Sequence, residues 1–329
     1  MGESRIVYYK LLSCFIIFLI FIFLAQNIHA VSKDTVLAAS RKVTVVTRIK
    51  AEERGAPSKF YDPRAFYVDK ESDILYVIVG PSGPIYKFDI KNEYKFIEEI
   101  GKDVKFSYLL DINVKKNGDV YAVDADENNI VVFNSQGEIK QIIKAKDNRK
   151  DKTRQKGVMF IDFNQNGDIF LTDMGGHGIQ VLDEDGNYLY EIVKAREGED
   201  EFGFPAISQL RLNSKDEVFV LDKLMAKIVK FNTKGKTLAL FGGRGDIAGT
   251  FVDPAGITID NKDRVYIVEL LTGTIQVFDR DGNFLYVLVN EEGKRLILRS
   301  PSYLNVDITG TIYVLERMDN RITVLKFID

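Results

Sequence analysis

Six aromatic residues, Tyr76, Tyr121, Phe170, Phe219, Tyr266 and Tyr313, sit in matching short apolar runs separated by 45, 49, 49, 47 and 47 residues. Nine residues after each stands an isoleucine: Ile85, Ile130, Ile179, Ile228, Ile275 and Ile322. An offset kept six times means that both residues occupy the same place in six copies of one unit. Within each unit the apolar pattern alternates over four short runs, the period of strands. In the fifth unit these runs are 256–260, 264–269, 274–279 and 283–289. The turn between the last two carries the pattern Asp/Asn-x-x-Gly, which recurs at 134–137, 183–186 and 232–235. Glycine supplies the positive φ such turns demand, and Asp or Asn accepts backbone hydrogen bonds across them.

Repeats of this length with four strands each are propeller blades. The expected fold is all-β: a six-bladed β-propeller with four-stranded antiparallel blades. The sixth unit ends one strand short, while an orphan β-rich run, Lys42–Lys50, precedes the first. The N-terminal strand is therefore expected to close the last blade and remove its free edge. Residues 42–329 form the propeller, 31–41 a linker, and 1–30 a signal peptide or uncleaved N-terminal anchor.

That N-terminal reading rests on Arg5 and Lys10, which precede an apolar run from Leu11 to Ala25 broken only by Ser13. A basic flank, a short apolar stretch and small residues near Ala30 are the parts of a secretory signal. The run is short for a membrane span, which needs about 20 residues. The chain is thus expected outside the cytoplasm, with a membrane contact only through an uncleaved anchor. Its one cysteine, Cys14, lies in the apolar run, so the mature domain holds no disulfide and relies on core burial. A formal net charge of −3 argues against nucleic acid, whose phosphates call for a strongly basic surface.

The fifth unit, with Gly249, Phe251, Pro254, Gly256, Asp260, Tyr266, Ile275, Val277, Phe278, Asp279 and Gly282, closely resembles the NHL repeat. The resemblance extends over residues 42–329 and implies the six-bladed propeller. Function it leaves open, because such propellers include RNA binders, protein-binding modules, lyases and lactonases. The zinc and histidine-dependent lyases of this fold need histidines, and only His29 and His177 are present.

The innermost strands hold Phe66, Ile112, Ile161, Leu210, Ile257 and Leu304 at one position, expected between blades. The flanking positions should line the central channel. They bring forward Asp111, Asn113, Asp162, Arg211, Tyr303 and Asn305 as candidate ligand-binding residues. Three residues after each blade aromatic stand Val79, Asp124, Asp173, Asp222, Glu269 and Glu316, expected to accept hydrogen bonds from the following turn. The long connections between blades should share one face, where Arg149, Lys150 and Lys152, with Phe160 and Tyr303 at the channel mouth, are candidates for docking a partner. Together these point to an exported, monomeric, non-catalytic scaffold for a protein partner, without a cofactor. The alternative is a calcium-dependent lactonase of the gluconolactonase type, with Asn113, Asp162 and Asn305 as oxygen ligands.

Overall fold

The computed structural model describes residues 39–69, 71–145, 158–173, 178–192 and 207–328. Five blades fall within 66–100, 109–144, 158–192, 207–242 and 254–289. The sixth combines residues 301–327 with the closing strand Ser40–Ile49. Each blade runs in chain order from an inner strand to an outer one, and the inner strands of successive blades lie side by side around the axis. The fold is the expected six-bladed propeller.

The repeat signature is a packing signature. The six isoleucines are fully buried, and so are the inner-strand residues Phe66, Ile112, Ile161, Leu210, Ile257 and Leu304. Each repeat aromatic lies opposite one inner-strand residue: Tyr76 opposite Tyr67, Tyr121 opposite Asn113, Phe170 opposite Asp162, Phe219 opposite Arg211, Tyr266 opposite Thr258 and Tyr313 opposite Asn305. Cross-strand partners share a face of the sheet. The polar inner-strand residues therefore project toward a neighbouring blade as well as toward the axis.

In the turns between third and fourth strands, Asn134, Asp183, Asn232 and Asp279 each accept the N–H groups two and four residues on, at 2.7–3.1 Å. Gly282 closes the last of these at φ +90°, and a Cβ there would stand 2.4 Å from Phe241 of the preceding blade. Backbone conformation and close approach both require glycine at this position.

The closing strand pairs antiparallel with Arg321–Phe327, from Val43 opposite Phe327 to Ile49 opposite Ile322, with a bulge between Val45 and Thr47. It begins two residues earlier than the sequence pattern implied. Ser40–Lys42 pair in parallel with Val287–Val289, the outer edge of blade 5. Blades 5 and 6 thereby become one eight-stranded sheet. At the junction the Arg41 guanidinium lies over the Tyr286 and Phe327 rings, 5.7 and 5.5 Å from their centroids, a cation–π contact. Across the seam between blades 6 and 1, Asn320 Oδ1 accepts the Asp62 N–H at 3.1 Å, and Arg317 Nε donates to Asp62 Oδ1 at 3.1 Å.

Deleting Ser40–Ile49 strips the ladder from Arg321–Phe327 and bares an edge strand. The expected result is self-association, or a melting midpoint lower by about 10 °C, as several kcal/mol would give at roughly 2–4 °C per kcal/mol. Size-exclusion chromatography with thermal circular dichroism reads both. A monomer with an unchanged midpoint would contradict this account of closure.

Candidate functional site

An inner strand has a ladder partner on one side only. On the other side its N–H groups meet side chains of the preceding blade. Asp111 Oδ2 accepts the Ile161 N–H at 3.0 Å, Asp162 Oδ2 accepts the Leu212 N–H at 2.8 Å, and Gln209 Oε1 accepts the Ile257 N–H at 2.7 Å. Blades 2, 3, 4 and 5 are linked in sequence this way. Asn113 Nδ2 donates to Asp162 Oδ1 at 3.0 Å and adds a second link between blades 2 and 3.

A second network crosses the axis. The Tyr303 hydroxyl of blade 6 donates to Asp111 Oδ1 of blade 2 at 2.8 Å and accepts from Arg211 Nη2 of blade 4 at 2.6 Å. Arg211 Nη1 donates to the Leu210 carbonyl at 2.7 Å, and the guanidinium lies 5.3 Å from the Tyr303 ring centroid. Three alternate blades thus meet on one hydroxyl. The structure brings Asp111, Arg211 and Tyr303 into this network and Asn113 with Asp162 into the neighbouring one. Half-buried Asn305, opposite Tyr313, joins neither among the described residues.

Burial dominates the electrostatics. It raises the Asp111 carboxyl to about 6, against the opposing pull of Arg211 and of the hydrogen bonds from Ile161 and Tyr303. Burial raises Asp162 too, again opposed first by Arg211. It lifts the Tyr303 phenol well above its ordinary value. For Arg211 burial acts downward, but Tyr303, Asp111 and Asp162 outweigh it and hold the guanidinium charged.

These side chains are committed to the protein. Asp162 receives N–H groups from Leu212 and Phe163, and Asn113 Oδ1 receives the Val114 N–H at 2.9 Å. The oxygens that Asn113 and Asp162 would offer a calcium ion accept backbone N–H groups, and Asn305 is not gathered with them. Among the described residues no group of three or more His, Cys, Asp or Glu is placed to hold a metal.

In blades 2, 5 and 6 the acidic position after the second strand holds the chain that leads into the blade. Asp124 accepts the Ser107 and Tyr108 N–H groups, Glu269 those of Val252 and Asp253, and Glu316 that of Arg299. Among the described residues, Asp222 instead bonds the following turn, through the Met225 N–H. The expected role as acceptors stands, but most of the donors lie upstream, in the segment these carboxylates pin against the blade.

Strand direction puts the lead-in segments and the loops between second and third strands on one face, and the tight turns on the other. Of the docking residues expected on the loop face, Arg149, Lys150 and Lys152 lie outside the described residues. Phe160 is not presented there. It is buried with Ile179, Leu210 and Val220 between blades 3 and 4. Tyr303, only 3 % exposed, is turned inward. The loop face shows something else: Leu224, Leu271 and Met318 are each more than half exposed. Each stands two residues after its blade's acidic position, at intervals of 47 residues. Tyr61, Met225, Ile247 and Ile297 join them on this face. On the opposite turns, Ile308 is the one large apolar residue exposed among those described. The signal was readable as a repeat position held by Asp126 in blade 2 and by large apolar residues in blades 4 to 6.

A family model described as a 6-bladed beta-propeller matches residues 196–289. Protein brain tumor of Drosophila melanogaster is 27 % identical over 106 residues, a match spanning 32 % of this chain and 10 % of that protein. Among solved structures, streptogramin B lyase is similar at a TM-score of 0.59 and 14 % identity, over 86 % of this chain and 98 % of the other. An auxiliary nutrient binding protein from Bacteroides ovatus ATCC 8483 is similar at 0.62 and 15 %, over 88 % and 78 %. At these identities the solved structures speak to fold alone.

Asp111 yields a pH test. Its folded value lies above that of an unfolded aspartate, near 3.9. Its stabilising contribution is therefore fully present below about pH 4 and lost as pH rises through about 6, on the order of 2–3 kcal/mol. In urea unfolding at pH 4.5 and 7.5, the stability difference between wild type and Asp111→Asn should shift in favour of the variant at the higher pH. Arg211→Met should cost about 3–5 kcal/mol, because it leaves a buried carboxylate uncompensated. A pH-independent difference, or an Arg211→Met protein as stable as wild type, would contradict the charged network.

Proposed function

Starting from a six-bladed, NHL-type propeller, we propose that this chain is an exported, non-catalytic scaffold that captures a protein partner on its loop face. The observation that carries the reading is the arc of Leu224, Leu271 and Met318 at one repeat position on three successive blades. Scattered exposed apolar residues are ordinary on protein surfaces, but an apolar set gathered on one face is typical of interaction sites. Charged residues border it, with Arg299 paired to Asp319 and Lys223 to Asp253, the polar rim expected around an apolar contact. The self-satisfied axial network supports a structural use of the channel residues. The basic flank and apolar run of residues 5–25 support export.

Immobilised propeller carrying Leu224→Asp, Leu271→Asp and Met318→Asp together should retain its fold and capture its partner at least about tenfold more weakly, the loss expected when central apolar contacts are removed. Ile308→Asp, on the opposite face, should capture it as wild type does. Quantitative pull-down from the native extract reads both. Equal capture by the triple variant, or loss in Ile308→Asp, would assign recognition to another surface.

A further inference from the structure

The outer strand of a propeller blade is paired on its inner side only, so it is an open edge unless it is guarded or covered. Charged residues within the strand guard the first three blades: Lys95, Glu98 and Glu99 in blade 1, Lys140 and Lys144 in blade 2, and Glu191 in blade 3. The outer strands of blades 4 and 5, Thr237–Gly242 and Phe284–Val289, hold no charged side chain. The edge of blade 5 is covered. Ser40–Lys42 lie parallel along Val287–Val289, and the Val287 N–H donates to the Ala39 carbonyl at 3.1 Å. Along the edge of blade 4 no strand lies among the described residues.

The two edges are built alike. Leu240 stands 47 residues before Val287, and it lies opposite Val229 as Val287 lies opposite Gln276. Both ladders bulge at the same repeat position, between Lys230 and Phe231 and between Val277 and Phe278. The Leu240 N–H is therefore directed as the Val287 N–H is, outward from its own blade, where an added strand could accept it. Leu238 and Leu240 are also exposed, the latter by 58 %. Apolar side chains beside an open ladder are what an extended peptide recognises, main-chain bonds giving affinity and side chains giving selectivity.

Charge chooses the occupant. Lys234 and Lys236 precede the strand and Arg244 follows it, all three exposed and none paired with a carboxylate among the described residues. Arg244 donates instead to the Leu224 carbonyl at 2.8 Å. Over residues 234–246 these three cations stand against one carboxylate, Asp246. A second copy paired antiparallel through the same edge would set Lys234 and Lys236 toward Arg244, like charge against like. A segment that is apolar in the middle and acidic at both ends meets an opposite charge at each end.

We propose that the outer edge of blade 4 accepts such a segment from another protein, added to Thr237–Gly242 as a fifth strand. This rim site is separate from the loop-face surface, and its test alters none of the residues assigned there.

The test is fluorescence anisotropy of labelled, C-terminally amidated peptides with the full chain at low ionic strength. The probes are EEVTVTVEE, its basic counterpart KKVTVTVKK, and the acidic peptide N-methylated throughout its VTVTV core. Wild type should bind the acidic peptide about tenfold more tightly than the basic one, as a few exposed ion pairs would give. N-methylation, which removes the peptide's own ladder donors, should weaken binding by about tenfold or more. Leu240→Pro removes an outward N–H from an edge strand, where proline is tolerated, and should lose binding while circular dichroism shows the fold retained. The triple variant Lys234→Glu, Lys236→Glu, Arg244→Glu should reverse the preference between the two charged peptides. Absence of binding, equal binding of the charged peptides, undiminished binding after N-methylation or in Leu240→Pro, or an unchanged preference in the triple variant would each overturn the proposal. So would a wild-type dimer that Leu240→Pro makes monomeric, since the edge would then belong to a second copy.

Discussion

Every inner strand of a propeller turns one edge toward the axis, where no neighbouring strand pairs with it. Buried N–H groups left unpaired are costly, so that edge must be met by something. Here it is met by side chains reaching from blade to blade: Asp111 to Ile161, Asp162 to Leu212 and Gln209 to Ile257. These bonds link blades 2 to 5 around the axis, and the Tyr303 hydroxyl of blade 6 crosses it to join Asp111 of blade 2 and Arg211 of blade 4. The axial charges are bonded to one another and to the backbone, within the fold.

This arrangement also explains which parts of the molecule were legible in the chain. The nine-residue offset from aromatic to isoleucine is a distance between adjacent strands of one blade, so local pattern and three-dimensional contact coincide. The closing strand could be located because the sixth unit lacked one. Its additional pairing through Ser40–Lys42 depends on where blade 5 ends in space, which periodicity does not encode. The same applies to the site. Alternation could nominate Asp111, Arg211 and Tyr303 for the axis, but it could not reveal that residues 92 and 192 positions apart from Tyr303 meet on its hydroxyl. Phe160 occupies the position equivalent to Asp111, yet it packs between blades because an aromatic ring there gains more from burial than from facing solvent.

The blades have the same frame and different loops. In blades 4 to 6 an acidic residue at the end of the second strand is followed two positions later by Leu224, Leu271 or Met318, where blade 2 has Asp126. The carboxylates of Glu269 and Glu316 tie down the neighbouring lead-in chain, so the apolar tips are displayed from anchored loops. Rigid display reduces the ordering cost of association. Sequence change at the tips leaves the bonds of the frame intact, which is how one architecture supports many surfaces.

The closing strand also sets how the molecule is oriented. It runs parallel to the outer strand of blade 5 and antiparallel to the third strand of blade 6. Its first residue, Ser40, therefore lies toward the side of the tight turns, and Ile49 toward the side of Leu224, Leu271 and Met318. The polypeptide enters the propeller from behind. Ser40 thus stands on the back of the disc, and the apolar tips of Leu224, Leu271 and Met318 face away from it.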